Sequence, residues 1–205
     1  MRIMSQQTLS LGLVRKAETH LNRIDPVMSC LLSKHGRCML YQSPGHPFET
    51  LVRSIIGQQL SAKAAATIAH RVLLIVGTFT PSSFLAVSTQ TLREAGLSAS
   101  KVRFICELSK RSTDGRVSLN SVASLTDDEV LEHLMQVPGV GRWTAEMFLI
   151  FGLRRPDVLA LGDAGLHRAT RLLYGDTANL SDVSQLWRPY RSVASWYLWR
   201  HLDAA

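Results

Sequence analysis

The chain has 205 residues, 46% of them apolar, enough to build a substantial core in one domain or in two tightly packed lobes. Cys30, Cys38 and Cys106 are odd in number and have no C-x-x-C spacing, which excludes a disulfide framework and a four-thiolate zinc or iron–sulfur site and points to a reducing, intracellular setting. The 23 Lys and Arg against 16 Asp and Glu give a formal charge of +7, which suits a polyanionic partner without establishing one, and 18 of the 23 are arginines, whose planar fork pairs well with phosphate oxygens.

The chain opens on Arg2 and then the polar Ser5, Gln6 and Gln7, with no apolar segment of the kind a signal peptide needs. The longest apolar run, around Val72 to Val76, is far too short to cross a bilayer. A cytoplasmic location is expected, nucleoid-associated in a bacterium or nuclear in a eukaryote, with no membrane partner. Apolar residues then recur every three or four positions, and sustained period-2 alternation is absent, so the chain reads as all-α. The pattern predicts helices over Thr8 to Leu21, Val27 to Lys34, Pro47 to Gln59 and Ser61 to Val76. Short ones are predicted near Pro81 to Val87 and Thr89 to Glu94, then Lys101 to Thr113 and Leu119 to Ser124.

Thr126-Asp-Asp-Glu129 matches a capping box and starts a helix that runs to about Gln136. Pro138-Gly139-Val140-Gly141 breaks it, and another helix starts near Arg142 and ends before Gly152-Leu-Arg-Arg-Pro156. Asp163 is placed to cap a helix ending near Gly175, and Ser181 to cap a last helix through about Leu202. No repeat, low-complexity tract or long linker divides the chain, so a single domain over residues 1–205 is expected. In it the N-terminal segment and the last helix form a second lobe.

Two glycines two residues apart between apolar helices suggest a hairpin. Gly139 and Gly141 can take backbone conformations closed to other residues, and the next helix offers unpaired N–H groups to an anion such as a phosphate. A lone P-G-x-G is more often just a tight turn; here Val130, Leu131 and Leu134 before it and Phe148 and Phe151 after it supply the apolar faces that a helix-hairpin-helix requires.

At VPGVGRWTAEMFLIF, together with LALGDAGLHRA downstream, the sequence resembles the helix-hairpin-helix DNA glycosylases, specifically the 3-methyladenine-DNA glycosylase II branch. IIGQQLSAKAA and the C-terminal WRPYRSVASWYLW extend the likeness over about Pro47 to His201. The resemblance implies a fold of two helical lobes holding a damaged base, with the motif over about 126–153. It implies excision of alkylated purines such as 3-methyladenine and 7-methylguanine from double-stranded DNA by a monomer that needs no organic cofactor. Its hairpin holds a monovalent cation, Na or K, through main-chain carbonyls that match Met135, Val137 and Val140.

By the same resemblance Asp163 is the catalytic carboxylate, although an Asp before a helix is also an ordinary N-cap. Trp143 stands where bifunctional relatives carry a Schiff-base lysine, which implies base removal without strand cleavage; its bland alternative is core packing. Trp199 matches a tryptophan that stacks on the extruded base, and Met147 takes a pocket position held by tyrosine in some relatives. Trp199 shares the C-terminal helix with Trp187, Tyr190, Trp196 and Tyr197, so packing is its alternative. Gly139, Val140, Gly141, Arg142 and Thr144 match the backbone-binding hairpin. Gln59, Leu60 and Ser61 match the segment that fills the gap left by a flipped nucleotide, with Leu60 or Ser61 as the plug and a capped turn at Ser61 as the plain alternative. Arg168 and Arg171 are further phosphate candidates, and His167 is not expected to be catalytic. The rivals are a helix-hairpin-helix DNA-binding module without chemistry, a glycosylase of the same fold acting on other damaged bases, and a basic helical scaffold.

Overall fold

The computed structural model describes residues 7–42, 46–119 and 121–204, which leaves the N-terminal residues up to Gln6 outside. The described residues are helical with no strand. They form two compact units, one from the described parts of Met1–Pro44 and Leu149–Ala205, the other from Gly45–Phe148.

In the first unit α1 (Leu11–Ile24) begins at Ser10, whose hydroxyl accepts the Leu13 N–H. It is followed at once by α2 (Pro26–His35), where Asp25 is the N-cap and Pro26 occupies the first turn, a position that needs no N–H. Both helices pack on α12 (Arg191–Asp203), which also packs on α10 (Ala164–Tyr174). Val14, Ala17, Leu21, Met28, Leu166 and Leu198 fill this core. Asp25 does more than cap. Its Oδ2 accepts the Tyr174 hydroxyl at 2.6 Å and the Trp187 indole N–H at 2.9 Å, joining α2 to the C-terminal third of the chain. Asp25→Ala removes the cap and leaves the buried Trp187 indole and the half-buried Tyr174 hydroxyl without their acceptor. It is expected to cost about 3 kcal/mol, read as a lower urea midpoint with unchanged m-value.

The expected last helix from Ser181 to Leu202 is two elements. A short α11 (Leu180–Val183) is capped by Asn179, not Ser181, and α12 starts only at Arg191. The break has a plain cause in Pro189, which has no N–H to donate and whose ring would meet the preceding turn. Trp187 and Tyr190 therefore lie ahead of α12, and Trp187 is fully buried beside Tyr174.

The second unit runs through α3 (Pro47–Gly57), α4 (Ala62–Val76), α5 (Pro81–Leu85), α6 (Thr89–Glu94), α7 (Ala99–Thr113), α8 (Asp127–Met135) and α9 (Arg142–Met147). Ser61, Thr80, Ser88 and Ser98 each cap the helix that follows, so α7 begins two residues before the expected Lys101. The Thr126 capping box is present in both directions, with Glu129 returning a bond to the Thr126 N–H. Ser121–Ser124 is a 3-10 turn, and α9 continues into a π-helical turn at Phe148–Gly152. α3 is the hub of this unit, packing on α4, α7 and α9 through Leu51, Val52, Ile55 and Ile56, all fully buried.

Candidate active site

In the second unit α8 and α9 pack against each other and the turn between them forms a hairpin. Gly139 has φ +84°, the left-handed region open to glycine, and a Cβ there would overlap the Phe104 ring of α7. Gly141 is different. Its φ of −86° is ordinary, so the backbone freedom that the sequence offers at both glycines is used only at Gly139. A Cβ at Gly141 would meet nothing within 4 Å, so what a glycine keeps there is open space for an approaching ligand, in front of an α9 start that no side chain caps.

The other hairpin candidates are placed unevenly. Arg142 is 70% exposed and its Nε pairs with Glu146 Oε1 at 3.0 Å, Val140 is buried, and Trp143 is half-buried. Thr144 is buried and its hydroxyl accepts from the Gln58 side chain at 2.9 Å; the same Gln58 Nε2 donates to the Gly139 carbonyl at 2.9 Å. Thr144 is thereby tied to the turn after α3. Met147, 5% exposed, sits in the last turn of α9. Gln58 opens the Gln58–Ser61 segment that resembles the family's wedge, but its bonds to the hairpin escaped the sequence reading, since the partners lie more than 80 positions away and no local pattern marks them.

The turn after α3 keeps the neighbouring candidates outward. Gln59 adopts φ +57°, and Gln59, Leu60 and Ser61 are all exposed. Ser61 accepts the Ala64 N–H as the cap of α4, whereas Leu60 exposes 40% of its apolar surface at the tip of the turn.

In the first unit Asp163 is the N-cap of α10, buried to 8% exposure. Its Oδ1 accepts the Leu166 N–H at 2.8 Å and the Trp199 indole N–H at 3.1 Å. The carboxylate thus caps α10 and at the same time ties it to Trp199 of α12. The segment leading to it is pinned. Arg191 grips Asp157 through Nε to Oδ1 at 2.7 Å and Nη2 to Oδ2 at 3.0 Å, and His167 Nε2 bonds to the Leu161 carbonyl at 2.7 Å. His167 thereby helps to hold the segment that leads to Asp163. Arg168 and Arg171 are exposed on α10.

Trp199 also stacks on Phe151, with centroids 5.7 Å apart and planes 32° apart. Gly165, unremarked in the sequence, lies under this pair: a Cβ there would come to 3.0 Å from Asp163 Oδ1 and 3.5 Å from Trp199 Cδ1. The indole N–H therefore orients the carboxylate while the ring faces Phe151. Trp199→Phe keeps the ring contact and deletes that donor. With Asp163 in the role that the resemblance implies, base release in single turnover is expected to fall about tenfold, the loss of roughly 1.4 kcal/mol that one hydrogen bond to a charged group supplies. An unchanged rate would confine Trp199 to packing or stacking.

A family model described as HhH-GPD superfamily base excision DNA repair protein matches residues 52–189. The alkylbase DNA glycosidase-like protein mag2 of Schizosaccharomyces pombe is 30% identical, with 91% of this chain and 92% of that protein aligned. DNA-3-methyladenine glycosylase 1 of the same yeast is 32% identical over 90% of this chain and 86% of its own length. The solved structure of the S. pombe 3-methyladenine DNA glycosylase Mag1 in complex with abasic DNA superposes with a TM-score of 0.79 at 32% identity, covering 90% of this chain and 95% of that one.

Proposed function

Because the chain belongs to the HhH-GPD superfamily of base excision DNA repair proteins, we infer that it is a monofunctional DNA glycosylase that removes alkylated purines by hydrolysing the N-glycosidic bond. The observation that carries the reading is Asp163, a buried carboxylate held by two N–H donors in a chain whose hairpin has tryptophan, not lysine, at position 143. Cleavage of the bond builds positive charge on the deoxyribose, and a carboxylate beside that sugar stabilises it and orients or deprotonates the attacking water. An alkylated purine such as 3-methyladenine is already cationic and leaves readily, so no strong acid on the base is required. The nucleotide must first leave the stack, which weakened pairing makes easier.

The partner is double-stranded DNA containing alkylated bases, bound by a monomer. The backbone donors of Gly139 and Gly141 suit phosphate contacts that set register without reading sequence, whereas the Val140 N–H is taken by the Val137 carbonyl. Leu60 is the better wedge of the two residues at the α3–α4 turn, because its exposed side chain is apolar and Ser61 is engaged as a cap. No helix among the described residues is long and apolar enough to cross a membrane.

The hairpin also suits a monovalent cation. Met135 ends α8, so its carbonyl belongs to the last turn, which lacks intrahelical donors, and the Val137 carbonyl takes one N–H from Val140 and retains a second lone pair. With Val140 these neutral oxygens fit Na or K rather than a transition metal, and the described residues contain no group of three His, Cys, Asp or Glu placed for one. Such an ion supplies positive charge toward a DNA phosphate.

The reading is tested by incubating the protein with methylated duplex DNA and separating released bases by chromatography. Methylpurines should appear, with strand breaks only after alkali. Breaks at neutral pH would point to a lyase of the same fold, and binding without release to a DNA-binding module.

A further inference from the structure

The turn that carries Leu60 and the hairpin that carries Gly139 are distant in sequence, yet one chain of bonds joins them inside the second unit. α3 ends at Gly57, and its final carbonyls would lack donors; the ammonium of Lys101, from the first turn of α7, bonds to the Ile56 carbonyl at 2.8 Å and the Gln58 carbonyl at 2.9 Å. A cation at a helix C-terminus is favoured by the helix dipole as well as by these bonds. Gln58 then passes the link on through its side chain to the Gly139 carbonyl and the Thr144 hydroxyl. One turn along α7, Phe104 lies so close to Gly139 that no Cβ fits between them. α7 therefore supports both segments, with Lys101 at the turn and Phe104 at the hairpin.

Lys101 forms no ion pair with a described carboxylate, and both of its acceptors are backbone carbonyls at the base of the exposed turn. A lysine kept only for surface charge would not be partly buried here. We propose that Lys101 is a positioning residue for the DNA step, tying the turn that presents Leu60 to the hairpin through Gln58 so that gripping the backbone and inserting the wedge occur in one register. The proposal rests on the glycosylase reading and on Leu60 as the inserted residue. Its physical content is preorganisation: the hairpin sets where the duplex sits, and a side chain that must enter one base step has to be held within about 0.5 Å of its working position. Without the brace the turn samples other conformations, and insertion carries the cost of ordering it.

The test compares wild type with Lys101→Met, Lys101→Arg and Gln58→Leu. The DNA is a duplex with a 2-aminopurine beside a tetrahydrofuran abasic site, whose fluorescence rises when the wedge unstacks it, and a methylated duplex for single-turnover release. Lys101→Met should lose most of the fluorescence rise and slow release about tenfold, the effect expected when a charged hydrogen bond worth roughly 1.4 kcal/mol is lost. Its affinity for undamaged duplex should stay within about threefold of wild type, because the hairpin's own donors remain. Arginine should restore part of the signal, and Lys101→Met added to Gln58→Leu should cost little more than Gln58→Leu alone, as members of one chain do. A full fluorescence rise and normal rate in Lys101→Met would overturn the proposal. So would parallel loss of undamaged-duplex affinity and melting temperature in both Lys101 variants, which marks a role in the fold alone. Absence of any rise with wild type would overturn it as well, whereas a rise without base release would sink only the assigned activity.

Discussion

Asp163→Asn is expected to lower base release by about three orders of magnitude while leaving the fold and DNA affinity close to wild type. The size follows from the role proposed for the carboxylate: a preorganised negative group facing developing positive charge is typically worth 10² to 10³ or more in rate, and a neutral amide of the same shape cannot replace it. The selectivity follows from the geometry. Asparagine caps helices about as well as aspartate, and its Oδ1 can still accept the Leu166 and Trp199 N–H groups, so stability should change by less than about 1 kcal/mol. Asp163→Ala, by contrast, removes the cap and abandons the indole donor, and should cost roughly 2 kcal/mol in addition to activity. Removing a negative charge makes the protein one unit more positive, so binding of damaged duplex should hold or tighten. Single-turnover release and fluorescence anisotropy on the same duplex check both halves. Activity of Asp163→Asn within about tenfold of wild type would transfer the role to another group.

Much of this arrangement was legible in the chain because it is local. The capping box at Thr126, the cap at Ser61 and the N-cap at Asp163 depend on residues within three positions, and all three are present. The same local logic misled at the C-terminus, where Ser181 looked like a cap only as long as Pro189 was passed over. It also treated Gly139 and Gly141 alike, since a sequence does not show which glycine has positive φ and which merely has empty space beside it. The roles that stayed hidden depend on distant partners. Nothing near Asp25 announces Tyr174 and Trp187, and nothing near Gln58 announces Gly139, because packing, not spacing, brings these groups together. Gly165 belongs to the same class: its value lies in the Asp163 and Trp199 atoms that occupy the volume of its missing side chain.

The two hairpin glycines turn this contrast into a measurement. Gly139→Ala should destabilise the protein by about 3 kcal/mol or more, combining roughly 1 kcal/mol for a side chain at positive φ with the overpacking of a methyl group driven into the Phe104 ring. The hairpin must then shift, which pulls the Gly139 carbonyl from Gln58 and displaces the backbone donors, so DNA affinity should drop by about two orders of magnitude, the equivalent of some 3 kcal/mol. Adding Phe104→Ala opens space for the methyl group but leaves the backbone strain, and Gly139→Ala should therefore cost less in that background, though not nothing. Gly141→Ala should behave in the opposite way. Its φ suits any residue and nothing crowds its Cβ, so the gain of about 0.5 kcal/mol through the unfolded chain and the loss that alanine brings at an N-cap should nearly cancel, leaving stability close to wild type. DNA affinity should nevertheless fall about tenfold if, as proposed, a phosphate reaches the hairpin donors through the open space beside Gly141, which the methyl group would occupy. Urea unfolding and anisotropy on one duplex separate the cases. Equal loss of stability in the two alanine variants would mean that Gly141 is kept for the fold, and unchanged binding in Gly141→Ala would place the phosphate elsewhere.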